Sequence, residues 1–239
     1  MIDHLKELSW ESEFFKIHMA QMDHSKNIFT WNAVDWSNSV RKLPFRLIQT
    51  CVSASNKDLI NAYENLGFRY VDTALDYVAS ISETSQNGLA ARIANLSDYE
   101  ALRTIARTAF TNTRFFHPVI PIERSKEFYA TWVLNSLNST FDDCAICFGA
   151  SPAIEGFVTL KKLSASSARI GLIASSHSVR GTGQRLIGES FRIARSWGCK
   201  ELKVTTSITN IAAQKLYSKA GFQLREARFW LYYINQPND

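Results

Sequence analysis

A glycine-rich stretch, Val179-Arg180-Gly181-Thr182-Gly183-Gln184, stands between a strand-like run ending Ile170-Gly171-Leu172-Ile173 and a run that reads as a helix. Glycines at such a junction let the chain turn tightly and bring its backbone close to a ligand. The unpaired N–H groups and the dipole of the helix start then favour an anion, and a pyrophosphate fits that description. A plain tight turn into a helix carries the same signature. Further on, Asn210 and Tyr217 lie seven residues apart in NIAAQKLYSKAG. That is about two helical turns, so they share a face, although a core tyrosine would sit the same way. His117, in TNTRFFHPVIP, is an ionisable side chain in an aromatic, proline-punctuated loop, and a lone His serves structure as readily as chemistry. Cys144 and Cys147 form a C-x-x-C at the start of a strand-like run, where an offset of three points side chains to opposite faces. With no second Cys/His pair nearby, buried thiols are expected and a metal is not.

These residues belong to a chain of 239 residues, 46% hydrophobic and with a net charge of +5. Such a chain buries a full core and has room for one large domain, or a small one beside a larger one. Its start, MIDHLKELSW, lacks the basic and apolar pattern of a secretory signal, and no apolar run has the length of a membrane helix, so a cytoplasmic protein is expected, with no membrane partner. Four scattered cysteines suit a reducing compartment. The 27 basic residues are spread along the chain, which suits phosphorylated small molecules and equally nucleic acid. Trp10, Phe14, Phe15, Trp31 and Trp36 show no regular basic interleaving, and most are expected in the core.

The positioning elements read as an alternation of strands and helices, and the fold class expected is α/β, or mixed α+β. FKIHMAQM, FRLIQTCVSA and RYVDTALDYVA are predicted strands, with NKDLINAYENLG a helix between the last two. The polar segment SISETSQNG, residues 80–88, is the expected linker, dividing the chain into 1–80 and 89–239. After it come the strand ARIAN, a helix SDYEALRTIARTAF with Ser97 as its cap, and a helix SKEFYATWVLNSL opened by Ser125. The strands CAICFGA, EGFVTLKKL and ARIGLIAS precede the helix GTGQRLIGESFRIARSWG. The chain then runs ELKVTTS, NIAAQKLYSKAG and FQLREARFWLYYI as strand, helix and strand. Asn56, Tyr63, Gly67 and Phe68 repeat the spacing of Asn210, Tyr217, Gly221 and Phe222, as a worn half-copy would. No glycine-rich loop precedes the first copy, so Tyr63 is expected to be structural.

The R-G-x-G turn after I-G-L-I, followed by a helix, a strand and N-x-x-A-x-x-x-Y-x-x-x-G-F, resembles the GCN5-related N-acetyltransferase (GNAT) family over residues 90 to 234. The resemblance implies the GNAT acyltransferase fold with a smaller N-terminal α/β domain, and acetyl-CoA as cosubstrate without a metal. In that family the strand before the loop splays from its neighbour and pairs with the pantetheine arm. Leu172 and Ile173 would then contact the acetyl and pantetheine groups, and Arg180, Gly181, Thr182 and Gly183 the pyrophosphate. Asn210 and Ala213 would line the cofactor as well. Tyr217 would be the catalytic acid: an amine attacking a thioester expels a thiolate, and a phenol of pKa ~10 can protonate a thiol of pKa ~8.5 without first losing its proton to solvent. Where the family usually carries Gly or Ala at the last loop position, this chain has Arg185, which either crowds the helix or points outward.

LSWESEFF, SNKDLINAYENLGF, AFTNTRFFHP, FYATWVLNS, TFDD, ARIGLIA and FWLYY are together similar to the dTDP-fucosamine acetyltransferases over nearly the whole length. The acceptor so implied is the 4-amino group of a dTDP-linked 4-amino-4,6-dideoxyhexose destined for surface polysaccharide, and a homodimer is implied too. Arg114 would then pair with a nucleotide phosphate, and Phe115, Tyr129 or Trp132 would face sugar or base, with His117 in the same loop. For Tyr129 and Trp132 a buried aromatic cluster is the alternative. Another amine acceptor, a non-catalytic CoA-binding module and a nucleic-acid binder are the competing readings, the last resting only on charge.

Overall fold

The computed structural model describes residues 4–23, 27–81, 91–176 and 180–236. In chain order the elements are β1 (Leu5–Glu7), α1 (Ser9–Phe15), β2 (Met19–Met22), α2 (Ala33–Val40), β3 (Leu47–Ser53), α3 (Lys57–Asn65), β4 (Arg69–Ser80), β5 (Arg92–Ile93), α4 (Tyr99–Ala109), α5 (Ile122–Leu137), β6 (Cys144–Phe148), β7 (Gly156–Lys162), β8 (Ser167–Ser175), α6 (Thr182–Ser196), β9 (Glu201–Ser207), α7 (Ile211–Lys219) and β10 (Gln223–Ile234). The expected mixed α/β class is what the chain adopts. No helix among the described residues is long and apolar enough to cross a membrane.

The chain forms two compact units. The first comprises Met1–Ala74, Thr113–Ser125 and Glu226–Asp239, the second Leu75–Asn112 and Lys126–Arg225. In the first unit the strand order is β1-β2-β3-β10-β4, with β2 and β3 parallel and β10 antiparallel to β3. Its core gathers Met22, Trp36, Ile48, Tyr63, Phe68 and Leu231, the apolar faces of α2, α3 and the inner strands. In the second unit the order is β4-β9-β8-β7-β6-β5, with β5 to β8 successively antiparallel and β8 parallel to β9. β6 and β7 are buried almost without alternation, as strands covered on both faces are. α6 turns Leu186, Ile187, Ser190 and Ala194 inward, one stripe of a helix with period 3.6.

Several local expectations give way to competing local chemistry. The segment read as a strand from Phe15 begins only at Met19, because Ser9–Phe15 is helical and Lys16 closes that helix in the left-handed region at φ 57°. α2 was not foreseen; Asn32 caps it by accepting the Asp35 N–H at 2.9 Å. Ser97 is not a cap. Asn95 takes that role, its side chain accepting the Ser97 N–H while the Asp98 carboxylate accepts the Asn95 N–H, and the α-helix starts at Tyr99. Nor does Ser125 open a helix: α5 begins at Ile122, directly after Pro121. Of the linker, residues 82–88 lie outside the described residues.

The echo in the sequence is an echo in geometry. Asn56 accepts the Leu59 N–H and Asn210 the Ala213 N–H, both at 3.1 Å. Phe68 N–H donates to the Tyr63 carbonyl and Phe222 N–H to the Tyr217 carbonyl, both at 3.0 Å. Each copy is a strand of 7 residues, a helix of 9 and a strand of 12. The end of each copy's last strand, from Leu75 in β4 and from Glu226 in β10, belongs to the unit that holds the other copy's helix.

Candidate functional site

β8 carries the first positioning device. It pairs with β9 from Ser167↔Glu201 to Ile170↔Val204, and both strands run on without pairing to each other, β8 to Ser175 and β9 to Ser207. On its other edge β8 pairs with β7, and there the register slips: Val158 faces Ile173 while Leu160 faces Ile170. Thr159 therefore opposes both Gly171 and Leu172, a bulge at the point where β8 leaves β9. The Leu172 N–H donates to the Thr159 hydroxyl at 2.8 Å. Leu172 is buried and Ile173 partly exposed, so the backbone expected to meet the acetyl and pantetheine groups lies in a parted stretch of sheet.

The second device is the start of α6. Gly181 is its N-cap, in the left-handed region at φ 87°, and makes no side-chain cap bond to the first turn. A residue with a Cβ would strain there, and a helix start whose N-cap has no side chain suits an anion. Arg180 is exposed in the turn before it, Thr182 is buried, and Val179 lies outside the described residues, as do His177 and Ser178. A Cβ on Gly183 would come within 3.1 Å of Leu216 Cδ2, so α6 packs tightly on α7 one residue from Tyr217. Gly183→Val is expected to push these helices apart and weaken acetyl-CoA binding about tenfold or more, measured by calorimetry. Unchanged affinity would remove the loop from the cofactor site.

Arg185 neither crowds the helix nor points outward. Its guanidinium donates to Glu155 at 2.8 Å and lies over the Phe148 ring, 4.0 Å from the centroid. A carboxylate on a neighbouring loop neutralises the charge, and an aromatic face accommodates the size that Gly or Ala would lack.

On α7, Asn210 spends its side-chain oxygen on capping Ala213, whose N–H is thereby occupied as well. Tyr217 is buried, with the rings of Tyr77 and Phe222 at 5.8 and 5.7 Å, and its hydroxyl has no hydrogen-bond partner among the described residues. Burial, and secondarily Tyr77, raises its pKa above the ordinary 10.0. The matching Tyr63 is placed differently, for its hydroxyl bonds Thr50, so the first copy's phenol is used within the fold as expected. The position of Thr50 is taken in the second copy by Val204, which offers no such partner.

The remaining candidates divide between the units. In the first, the Arg114 guanidinium donates to Gln49 Oε1 at 2.6 Å and to the Tyr232 hydroxyl at 2.8 Å, between the rings of Phe115 and Trp230. No carboxylate pairs with it among the described residues. His117 Nδ1 accepts the Val119 N–H at 3.3 Å, and burial lowers its pKa, so the neutral ring carries its proton on Nε2 and can donate there. A ring so arranged has no lone pair ready to act as a base. In the second unit Tyr129 stacks on Phe110 at 4.5 Å, and the Trp132 indole N–H donates to Asp142 at 2.8 Å, which fits the aromatic-cluster alternative for both. Cys144 and Cys147 are free thiols pushed up to about 11 by burial, and no group of three or more potential metal ligands occurs among the described residues.

Sequence reasoning missed Asp142, whose buried carboxylate sits against Gly171, and the Arg185–Glu155 pair. A glycine in mid-strand, Gly171, was the available signal, because it marks a bulge or a close approach.

The acetyltransferase (GNAT) family model matches residues 101–222. The dTDP-fucosamine acetyltransferase of Escherichia coli O6:H1 is 33% identical over 231 residues, 95% of this chain and 97% of that protein. Among solved structures, a GCN5-related N-acetyltransferase from Sphaerobacter thermophilus superposes with a TM-score of 0.59 at 18% identity, covering 81% of this chain and 61% of that one. A tandem GNAT protein from the clavulanic acid biosynthesis pathway gives 0.59 at 10% identity, covering 92% and 76%. At those identities the structures speak for the fold alone.

Proposed function

The chain belongs to the acetyltransferase (GNAT) family, and from that premise we propose that its acceptor is the 4-amino group of a dTDP-linked 4-amino-4,6-dideoxyhexose. Acetyl transfer from acetyl-CoA to an amine is the activity of the family. The observation that supports this acceptor is the 33% identity to a dTDP-fucosamine acetyltransferase, which extends over both units of this chain and not over the cofactor-binding segment alone. The same reading assigns the transfer chemistry to residues 89–239 and a supporting role to 1–80, with the enzyme acting as a cytoplasmic homodimer that supplies surface polysaccharide.

In the proposed reaction the neutral amine attacks the thioester carbonyl directly. The C–S bond then breaks, the electron pair goes to sulfur, the Tyr217 phenol delivers its proton to the departing thiolate, and the nitrogen gives up its extra proton to water, from which the phenolate is reprotonated. Leu172 and Ile173 would hold the acetyl and pantetheine groups and Arg180 to Gly183 the pyrophosphate, with Asn210 and Ala213 lining the cofactor as well. Arg114 is the residue proposed to take the nucleotide phosphates, since neutral partners hold its guanidinium and no carboxylate among the described residues pairs with it.

Thiol release from acetyl-CoA, measured with dTDP-4-amino-4,6-dideoxygalactose, its gluco epimer and simple amines, tests the reading. Release with one nucleotide sugar alone is expected. Release only with simple amines would overturn the acceptor and leave the family chemistry standing. Arg114→Ala is expected to raise the KM for the nucleotide sugar roughly 10- to 100-fold, the worth of a charged hydrogen bond, with acetyl-CoA affinity unchanged. An unaltered sugar KM would place the phosphates elsewhere.

A further inference from the structure

Asp142 is completely buried, in the loop between α5 and β6, and its two oxygens are crowded with donors. Oδ2 accepts from Trp132 Nε1 at 2.8 Å, Ser136 Oγ at 3.2 Å and Thr159 Oγ1 at 2.7 Å, while Oδ1 accepts from Arg169 at 3.1 Å. Because the Thr159 hydroxyl gives its hydrogen to the carboxylate, its lone pair is left to receive the Leu172 N–H. Oδ2 also occupies the space beside Gly171, where a Cβ would come within 2.1 Å of it. A carboxylate, a hydroxyl and an N–H thus form a chain that fills the bulge of β8 from behind, next to the last pair between β8 and β9.

From this geometry we infer that Asp142 and Thr159 are positioning residues: through the Leu172 N–H they hold the bulge that parts β8 from β9 and so set the acetyl-CoA slot. An ordinary antiparallel register would need the Leu172 N–H in the β7 ladder. The Thr159 hydroxyl takes that N–H instead, and Asp142 Oδ2 fills the space beside Gly171. Trp132, Ser136 and Arg169 keep that charge paired and aimed, because a buried carboxylate is tolerated only when its acceptor sites are filled. The inference rests on the family chemistry and is independent of the acceptor.

The test uses the full chain and acetyl-CoA alone, without an acceptor, so that a wrong sugar assignment cannot decide it. Thr159→Val keeps the shape and removes the hydroxyl. It is expected to weaken acetyl-CoA binding about tenfold by calorimetry, and Thr159→Ser is expected to restore it. A Thr159→Val protein with a lowered Tm but wild-type affinity would make the group merely structural and overturn the inference. Asp98→Asn weakens the Arg92–Asp98 pair beside β5, at the far edge of the sheet from β9, and is expected to lower Tm without changing affinity. Should Thr159→Val fail to fold, hydrogen exchange at the wild-type Leu172 amide decides: strong protection before any cosubstrate is added is expected, and rapid exchange would sink the proposal.

Discussion

Tyr217→Phe is expected to lower kcat by about 10²–10⁴-fold, the usual worth of a positioned acid, while acetyl-CoA affinity stays within about twofold. The substitution removes one hydroxyl from a buried ring whose contacts are with Tyr77 and Phe222. That hydroxyl has no hydrogen-bond partner among the described residues, so its loss breaks no hydrogen bond there, and the stability cost is expected to be small. What disappears is a proton donor needed only as sulfur gathers charge, a cost confined to the transition state. Burial raises the phenol's pKa, and a thiolate leaving into the same desolvated space suffers the same penalty, so the two remain matched for transfer. An acid works in its protonated form, and a raised pKa extends that form upward. The pH profile of kcat should therefore show no alkaline fall attributable to Tyr217 below pH 10. Parallel losses in kcat and acetyl-CoA affinity, or an alkaline limb below pH 10 that vanishes in the variant, would assign Tyr217 to binding or to another protonation role. Tyr63→Phe is the internal control, because Thr50 already uses its hydroxyl and only stability should change.

The contrast between those tyrosines also shows what was legible before the structure. Spacing alone related Asn56 to Asn210 and Tyr63 to Tyr217, since helix length and cap chemistry are local and leave a local pattern. The absence of a loop before the first copy sufficed to assign Tyr63 to structure. The turn at Gly181 was legible for the same reason: a left-handed cap is a demand on one residue. Asp142 was not, because its meaning depends on four donors that converge from three elements, α5, β7 and β8, and leave no local pattern. Arg185 read as a misfit until Glu155, 30 residues earlier, was placed beside it. The helix α1 was missed because SWESEFF has no side-chain cap, and its end is set by a left-handed Lys16 that no propensity favours.

A chain ending at Arg225 is expected to lose the folded first unit altogether. β10 lies between β3 and β4 there, pairing with β3 residue by residue from Arg228↔Ser53 to Ile234↔Leu47, so its removal opens an interior seam, not an edge. Leu231 and Tyr232 are wholly buried, and Phe229 and Tyr233 pack against the same core. At roughly 1.5–3 kcal/mol for each large apolar side chain, their loss alone reaches the ~5–15 kcal/mol net stability of a typical domain. Polar ties go as well: the Asn235 amide donates to the carbonyls of Val40 and Phe45 at 2.8 and 2.9 Å, and Arg46 donates to the Asn235 carbonyl at 2.6 Å. Loss of near-ultraviolet dichroism and a red-shifted tryptophan emission, as Trp36 meets water, would register the collapse. A truncated chain that kept both signals would show that β1, β2 and β3 with α2 and α3 suffice, and that β10 is an ornament of the first unit. Leu231→Ala grades the same element, with an expected loss of about 2–5 kcal/mol in denaturant unfolding, because the cavity opens in the core that Leu231 shares with Trp36, Tyr63 and Phe68.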